Sequence, residues 1–275
     1  MKNLLTPLLL LGLGCAVTGI TFADSGRANT RSGHEFALTF SAYSYEEPSI
    51  GVSTTGDKFG VGHAGTWLLR NDWYFKDDLR FAYGKTDYVG SGVQLGAPDW
   101  YYEVRGLIGR DFRVKNAVIS PYAGFGYRYL MNDVRGYSNT GAAGYRRESN
   151  YYYLPLGVTH LFVLQDGAVL VTTAEYDFFL WGAQVTRLSD LIGYNGYTRA
   201  FDTTNRQNNG YGYRLGMLYE MRDWSYGPFV HVWNIERSEY TTQTMTGDKG
   251  PEFVRLYEPQ NDTVEFGIRA NFRFR

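Results

Sequence analysis

From Thr263 to Phe274 the chain alternates with a period of two. Phe266, Ile268, Ala270, Phe272 and Phe274 fall on one face, and Glu265, Gly267, Arg269, Asn271 and Arg273 on the other. A strand sends successive side chains to opposite sides, so this segment has one apolar and one polar face. The same pattern predicts strands over 35–45, 59–75, 79–88, 100–112, 119–131, 151–163, 169–181, 211–221, 226–237 and 263–274. Each has about the nine residues with which a tilted strand crosses hydrocarbon.

Turn residues divide the strands unevenly. Lys76-Asp77-Asp78, the stretch 113–118, Gln165-Asp166-Gly167 and Arg222-Asp223-Trp224 read as tight links. The links after the odd-numbered strands are longer, 183–210 and 238–262 the longest. Short turns alternating with long loops around an even number of strands mark a transmembrane barrel. A soluble sandwich has no reason to keep that alternation. The predicted fold is therefore all-β: an antiparallel transmembrane β-barrel of about ten strands (8–12), with short periplasmic turns, long extracellular loops and both termini on the turn side.

Composition agrees. The chain has 24 Tyr, 17 Phe, 6 Trp and 33 Gly, and its mean hydropathy is −0.34. Barrels combine a polar lumen with aromatic girdles, whereas a disordered chain lacks the aromatics. With 27 basic against 28 acidic residues, no basic surplus favours nucleic acid.

The N-terminus points to export. Lys2, the only charge before Asp24, precedes the apolar run 8–14, and Thr21-Phe-Ala23 offers small residues for cleavage after Ala23. Pro7 and Gly12 interrupt the run, which is too short to span a bilayer. A lipoprotein signal at Cys15 competes with this reading, although Gly12 stands where such signals carry an aliphatic residue. Cleavage at Ala23 would remove the only cysteine, which suits an oxidising periplasm. The expected organisation is a signal peptide over 1–23, a short periplasmic segment over 24–33 and the barrel over 34–275. The expected location is the outer membrane of a Gram-negative bacterium. Lipid and lipopolysaccharide are the expected surroundings, the barrel-assembly machinery would read the C-terminal strand, and the protein would be a monomer.

Alternation also sorts the charges. Arg70, Asp72, Arg80, Glu103, Arg105, Asp111, Arg128, Glu175, Asp177, Arg214, Glu220, Glu265 and Arg269 read as lumen residues. An unpaired buried charge costs several kcal/mol, so near balance with mostly Arg favours a bidentate network. Such a lumen is either a small polar pore or a plug of its own side chains. The outer loops carry Arg135, Tyr145, Arg146, Arg147, Tyr194, Tyr197 and Arg199, residue types favoured at binding hot spots but also common in such loops. A short helix over 186–192 would pack at the mouth. His34 and His160 read as interfacial and His231 as inward-facing. With one cysteine and dispersed histidines, neither a metal site nor a cofactor is expected.

The segment Pro121-Tyr-Ala-Gly-Phe-Gly-Tyr-Arg-Tyr129 and the phrase Trp73-Tyr-Phe-Lys-Asp-Asp-Leu79 resemble those of small bacterial outer-membrane β-barrel proteins. The resemblance, over about 34–275, implies architecture and not activity. The omptin proteases of the outer membrane also have ten strands, with an Asp-x-His pair and paired aspartates near the outer rim. No Asp-x-His occurs here, nor the His-x-Ser of outer-membrane lipid A deacylases. Glu175-x-Asp177 resembles a paired-carboxylate element, but partnership with Arg128 or Arg214 explains it more simply. The function expected is thus a non-enzymatic, porin-like or structural barrel. A surface-binding barrel is the alternative and an omptin-like hydrolase the third reading.

Overall fold

A computed structural model describes residues 30–274; the expected signal segment 1–23, Cys15 and Arg275 lie outside the described residues. The strands are β1 (Gly33–Glu47), β2 (Val52–Leu68), β3 (Trp73–Val89), β4 (Val93–Arg110), β5 (Phe112–Val114), β6 (Ala117–Tyr137), β7 (Ala143–Val163), β8 (Val169–Thr186), β9 (Thr203–Gln207), β10 (Gly210–Met221), β11 (Trp224–Ile235), β12 (Thr241–Gly247), β13 (Gly250–Leu256) and β14 (Asn261–Phe274). Ten of them close a ring in the order β1-β2-β3-β4-β6-β7-β8-β10-β11-β14. Every pairing is antiparallel, and β14 returns to β1 with Ile268 opposite Phe40 and Glu265 opposite Tyr43. Short β5 pairs β6, β9 extends the sheet beside β8, and β12–β13 form a separate hairpin. The chain is thus a closed ten-stranded antiparallel β-barrel.

Outward positions form an apolar belt. Phe36, Leu38, Phe40, Phe59, Leu79, Phe81, Val104, Ile108, Phe266 and Ile268 are all exposed. The stretch from Val264 to Phe274 rises about 33 Å along its strand and, at the usual tilt, about 25 Å along the axis, the height of a barrel's hydrocarbon band. Aromatic clusters bracket it: Trp67, Phe75, His34 and Phe274 at the turn end, and Trp100, Tyr102, Tyr127, Tyr129, Tyr152 and Trp181 towards the loop end.

The wall is far taller than the belt. β6 and β7 have 21 residues each, about 70 Å of strand, so much of each rises past the upper girdle. Much of the long loop-end sequence is therefore drawn up as strand, leaving links of 48–51, 90–92 and 138–142. The links 187–209 and 236–260 keep structure of their own. The first contains a 3-10 helix at Leu188–Leu191, within the predicted 186–192. That helix packs into an apolar cluster with Ala200 and Met245, against which Tyr145, Tyr197, Val254 and Leu256 rest.

One turn lies elsewhere than predicted. Lys76, Asp77 and Asp78 belong to β3, and the chain reverses over 69–72 instead. Asn71 and Asp72 carry φ of 59° and 62°, and Leu69 N–H bonds the Trp73 carbonyl at 2.7 Å. Two successive left-handed residues make the mirror-image turn that suits hairpin twist, and Asn and Asp tolerate that conformation.

Because the belt faces outward, charge placement there is position-dependent. Ile268→Lys should destabilise the barrel by about 2–4 kcal/mol in vesicles, whereas a lysine above the girdle costs about 1 kcal/mol or less. Urea unfolding of the refolded barrel, with Glu46→Lys as the second variant, measures both.

Candidate functional site

The interior is crossed by polar contacts at several heights. At the loop end, Arg147 of β7 ties to Glu47 of β1 and to Glu258 in the link before β14. Tyr45 hydroxyl donates to Glu47 at 2.6 Å, and Arg147 bonds that hydroxyl at 3.1 Å. Below them Lys58 of β2 pairs with Asp99 of β4, its ammonium 4.1 Å from the Tyr43 ring centroid.

The middle is a hub on Arg214 of β10. Its guanidinium reaches across to Glu103 of β4 at 2.6 and 2.7 Å and to Asp177 of β8 at 2.8 Å. Tyr153 hydroxyl donates to Glu103 at 2.7 Å, and Trp233 packs edge-on against Tyr153 at 5.0 Å. Beside the hub, Tyr101 and Ser41 donate to Glu265 at 2.9 and 2.7 Å, and Arg128 lies 4.1 Å over the Tyr101 ring. Tyr153, Trp233, Arg128, Glu103, Asp177 and Glu265 are at most 1% exposed.

The lowest group joins β3, β4, β6, β8 and β11. Arg105 bonds Asp78 at 2.5 Å and Glu175 at 2.6 Å, Tyr122 donates to Glu175 at 2.7 Å, and Arg80 bonds Asp78 at 2.7 Å. Arg80 also reaches His231 Nε2 at 3.3 Å. Beneath this group a cavity of about 200 Å³ runs to the turn-end rim, where Arg273 ties to Glu35 and Arg31 to Glu220.

Of the lumen candidates, Arg80, Glu103, Arg105, Arg128, Glu175, Asp177, Arg214, Glu265 and Arg269 point inward. Asp111 and Glu220 lie at the turn-end rim, Asp111 accepting from Thr30 and Ser120. Arg70 and Asp72 are corrected: both sit in the exposed turn after β2, where Asp72 pairs with Arg113 outside the lumen. The misplaced turn prolonged β2 past its end and carried them inward. Lys58, Asp78, Asp99, Glu47 and Glu258 are inward charges outside the predicted lumen set. Continuing the alternation one step upstream of 59 and 100 would have found Lys58 and Asp99.

The loop candidates divide likewise. Arg147 is held inside the mouth, and Tyr145 and Tyr197 pack on the Leu188 cluster. Arg146 clasps Asp190 at 2.8 Å, Arg135 clasps Asp133 at 2.7 Å, Tyr194 meets Tyr137 edge-on and Arg199 covers Phe201. Glu175 and Asp177 lie deep among arginines, well below the rim. His34 and His63 meet at 3.1 Å on the outer surface.

No family model matches the sequence, and no curated protein matches it. Solved structures do match. The outer membrane protease OmpT from Escherichia coli is 11% identical over 90% of this chain and 99% of its own, with a TM-score of 0.58. The translocator domain of autotransporter NalP from Neisseria meningitidis is 10% identical over 89% and 90%, at 0.42. The β domain of the Bordetella autotransporter Brka is 15% identical over 89% and 100%, at 0.39. The likeness to OmpT is one of fold: this chain has the outer-membrane β-barrel fold.

Removing the hub arginine leaves Glu103 and Asp177 buried without their counter-charge, so Arg214→Met should cost about 3–5 kcal/mol. Arg113→Met, which breaks an exposed pair, should cost under about 1 kcal/mol; denaturant midpoints compare them. At the loop end, burial and the neighbouring Glu47 push the Glu258 carboxyl up to about 7, against the pull of Arg147. A raised carboxyl contributes stability that is full below its unfolded value and lost as pH rises through about 7. Proteolysis of the β12–β13 hairpin should therefore be faster at pH 8 than at pH 5, and Glu258→Gln should abolish the difference.

Proposed function

We propose that the chain is an exported outer-membrane β-barrel of a Gram-negative bacterium whose lumen is a structural core and does not conduct. The termini and tight turns then face the periplasm, and the tall rim faces outward. One observation carries this reading: contacts between opposite walls, Arg147–Glu47, Glu103–Arg214 and Tyr101–Glu265, cross the interior at successive heights around side chains with almost no accessible surface. An ion would have to break charge pairs and displace Trp233 and Arg128 to pass, and buried pairs resist separation. Such a barrel anchors a rim rather than serving as a passage.

A second reading adds binding at that rim. Arg255 lies 3.6 Å over the Tyr240 ring, Arg237 covers the same ring at 5.0 Å, and Tyr257 packs against it at a tilt. Phe253 on the hairpin is 84% exposed. Arg and Tyr surfaces of this kind suit partner hot spots. A hydrolase reading has less support, since Glu175 and Asp177 are each paired with an arginine deep in the barrel.

Planar-bilayer recording tests the main reading. The wild-type barrel should give no stable unitary steps, while the double variant Trp233→Ala with Arg128→Ala should open intermittent ones. Regular wild-type steps would defeat the proposal.

A further inference from the structure

We infer that the cavity at the turn end is a binding site for a small tetrahedral oxyanion of the phosphate or sulfate type, with Arg269 as its principal contact. Seven cationic residues line this cavity against four carboxylates. Those four are already engaged. Asp78 serves Arg80 and Arg105, Glu175 serves Arg105 and Arg214, Glu35 serves Arg273, and Glu220 serves Arg31 and Arg273. Among the described residues, Arg269 and Lys76 make no ion pair. Arg214 and Arg80 are balanced further by Glu103 and Asp177 just above the cavity, so the positive charge left without a protein carboxylate is that of Arg269 and Lys76.

Hydrogen bonding points the same way. Arg80 donates to His231 Nε2, which makes that nitrogen the acceptor and places the ring proton on Nδ1. Nδ1–H of His231, a residue 8% exposed, has no protein acceptor, and neither does Nε–H of Arg105 or of Arg269. All three residues line the cavity, from β11, β4 and β14. Buried donors demand acceptors, and guanidinium groups match the oxygens of phosphate-like anions in geometry as well as charge. Cationic side chains that line the cavity from three strands, Lys76 of β3, Arg105 of β4 and Arg269 of β14, suit an anion with acceptors in several directions better than a planar carboxylate. A volume of about 200 Å³ is roughly that of six or seven waters, room for such an ion with part of its hydration. The closed wall keeps lipid away from this space, so a dissolved ion or a small soluble phosphomonoester is the source.

Titration calorimetry of the folded full-length barrel in a neutral detergent, with sodium phosphate or sulfate against sodium chloride at equal ionic strength, tests the site. One saturable site is expected for both oxyanions and none for chloride. Arg269→Gln should weaken it about tenfold or more, as the loss of a charge-assisted contact implies. Arg269→Lys should retain part of the affinity, and Arg113→Gln should leave it unchanged. Glycerol phosphate should compete; displacement only by intact anionic phospholipid would overturn the assignment to a soluble ion. A second measurement needs no variant: phosphate, and not chloride, should slow phenylglyoxal modification of Arg269 in the wild type, read by mass spectrometry. Absence of saturable binding, equal affinity in a folded Arg269→Gln barrel, or lack of protection at Arg269 would each overturn the proposal.

Discussion

Everything inside this barrel depends on neutralising charge across an interior wider than apolar side chains can fill. About eight strands make a lumen that side chains just occupy; ten make a wider one. Here arginines reach inward from facing walls and meet carboxylates in pairs and triads, with tyrosine hydroxyls and Trp233 filling the spaces between. A guanidinium can serve two or three oxygens at once in fixed geometry. That explains why the hub is Arg214, gripping Glu103 and Asp177 together.

The same constraint separates the outside from the inside. Each strand carries both instructions, apolar outward and polar inward, so a slip of one residue would bury the belt and expose the network. The seam shows the consequence. β1 and β14 pair from His34–Phe274 to Glu46–Asp262 without interruption, and Glu265 lands where Ser41 and Tyr101 can donate to it. Register and charge pairing specify each other.

Much of this was legible in the sequence because period-two alternation is a local signal. It located ten strands and sorted Tyr101, Glu103 and Arg105 from Tyr102 and Val104. It failed where the signal is ambiguous at strand ends. Lys76-Asp77-Asp78 looks like a turn because of its charges, yet Asp78 is a lumen acid and Asp77 lies beside His63 on the outside. The true reversal at Asn71-Asp72 was hidden inside an aromatic stretch. Glu47 and Glu258 were illegible for another reason: their shared partner Arg147 is remote in the chain, and nothing local announces the meeting.

The distances along the chain between partners have a consequence for timing. Neighbouring hairpins can form early, but Ser41 and Glu265 are 224 residues apart and Arg214 and Glu103 are 111 apart. Such contacts exist only after a costly chain closure. Until β14 meets β1, the inward charges line an open, incomplete sheet and need water or an assembly partner beside them. Closing the seam therefore also expels that solvent from the levels above the turn-end cavity, and the pairing of β14 with β1 converts a wet trough into a packed pillar over that cavity.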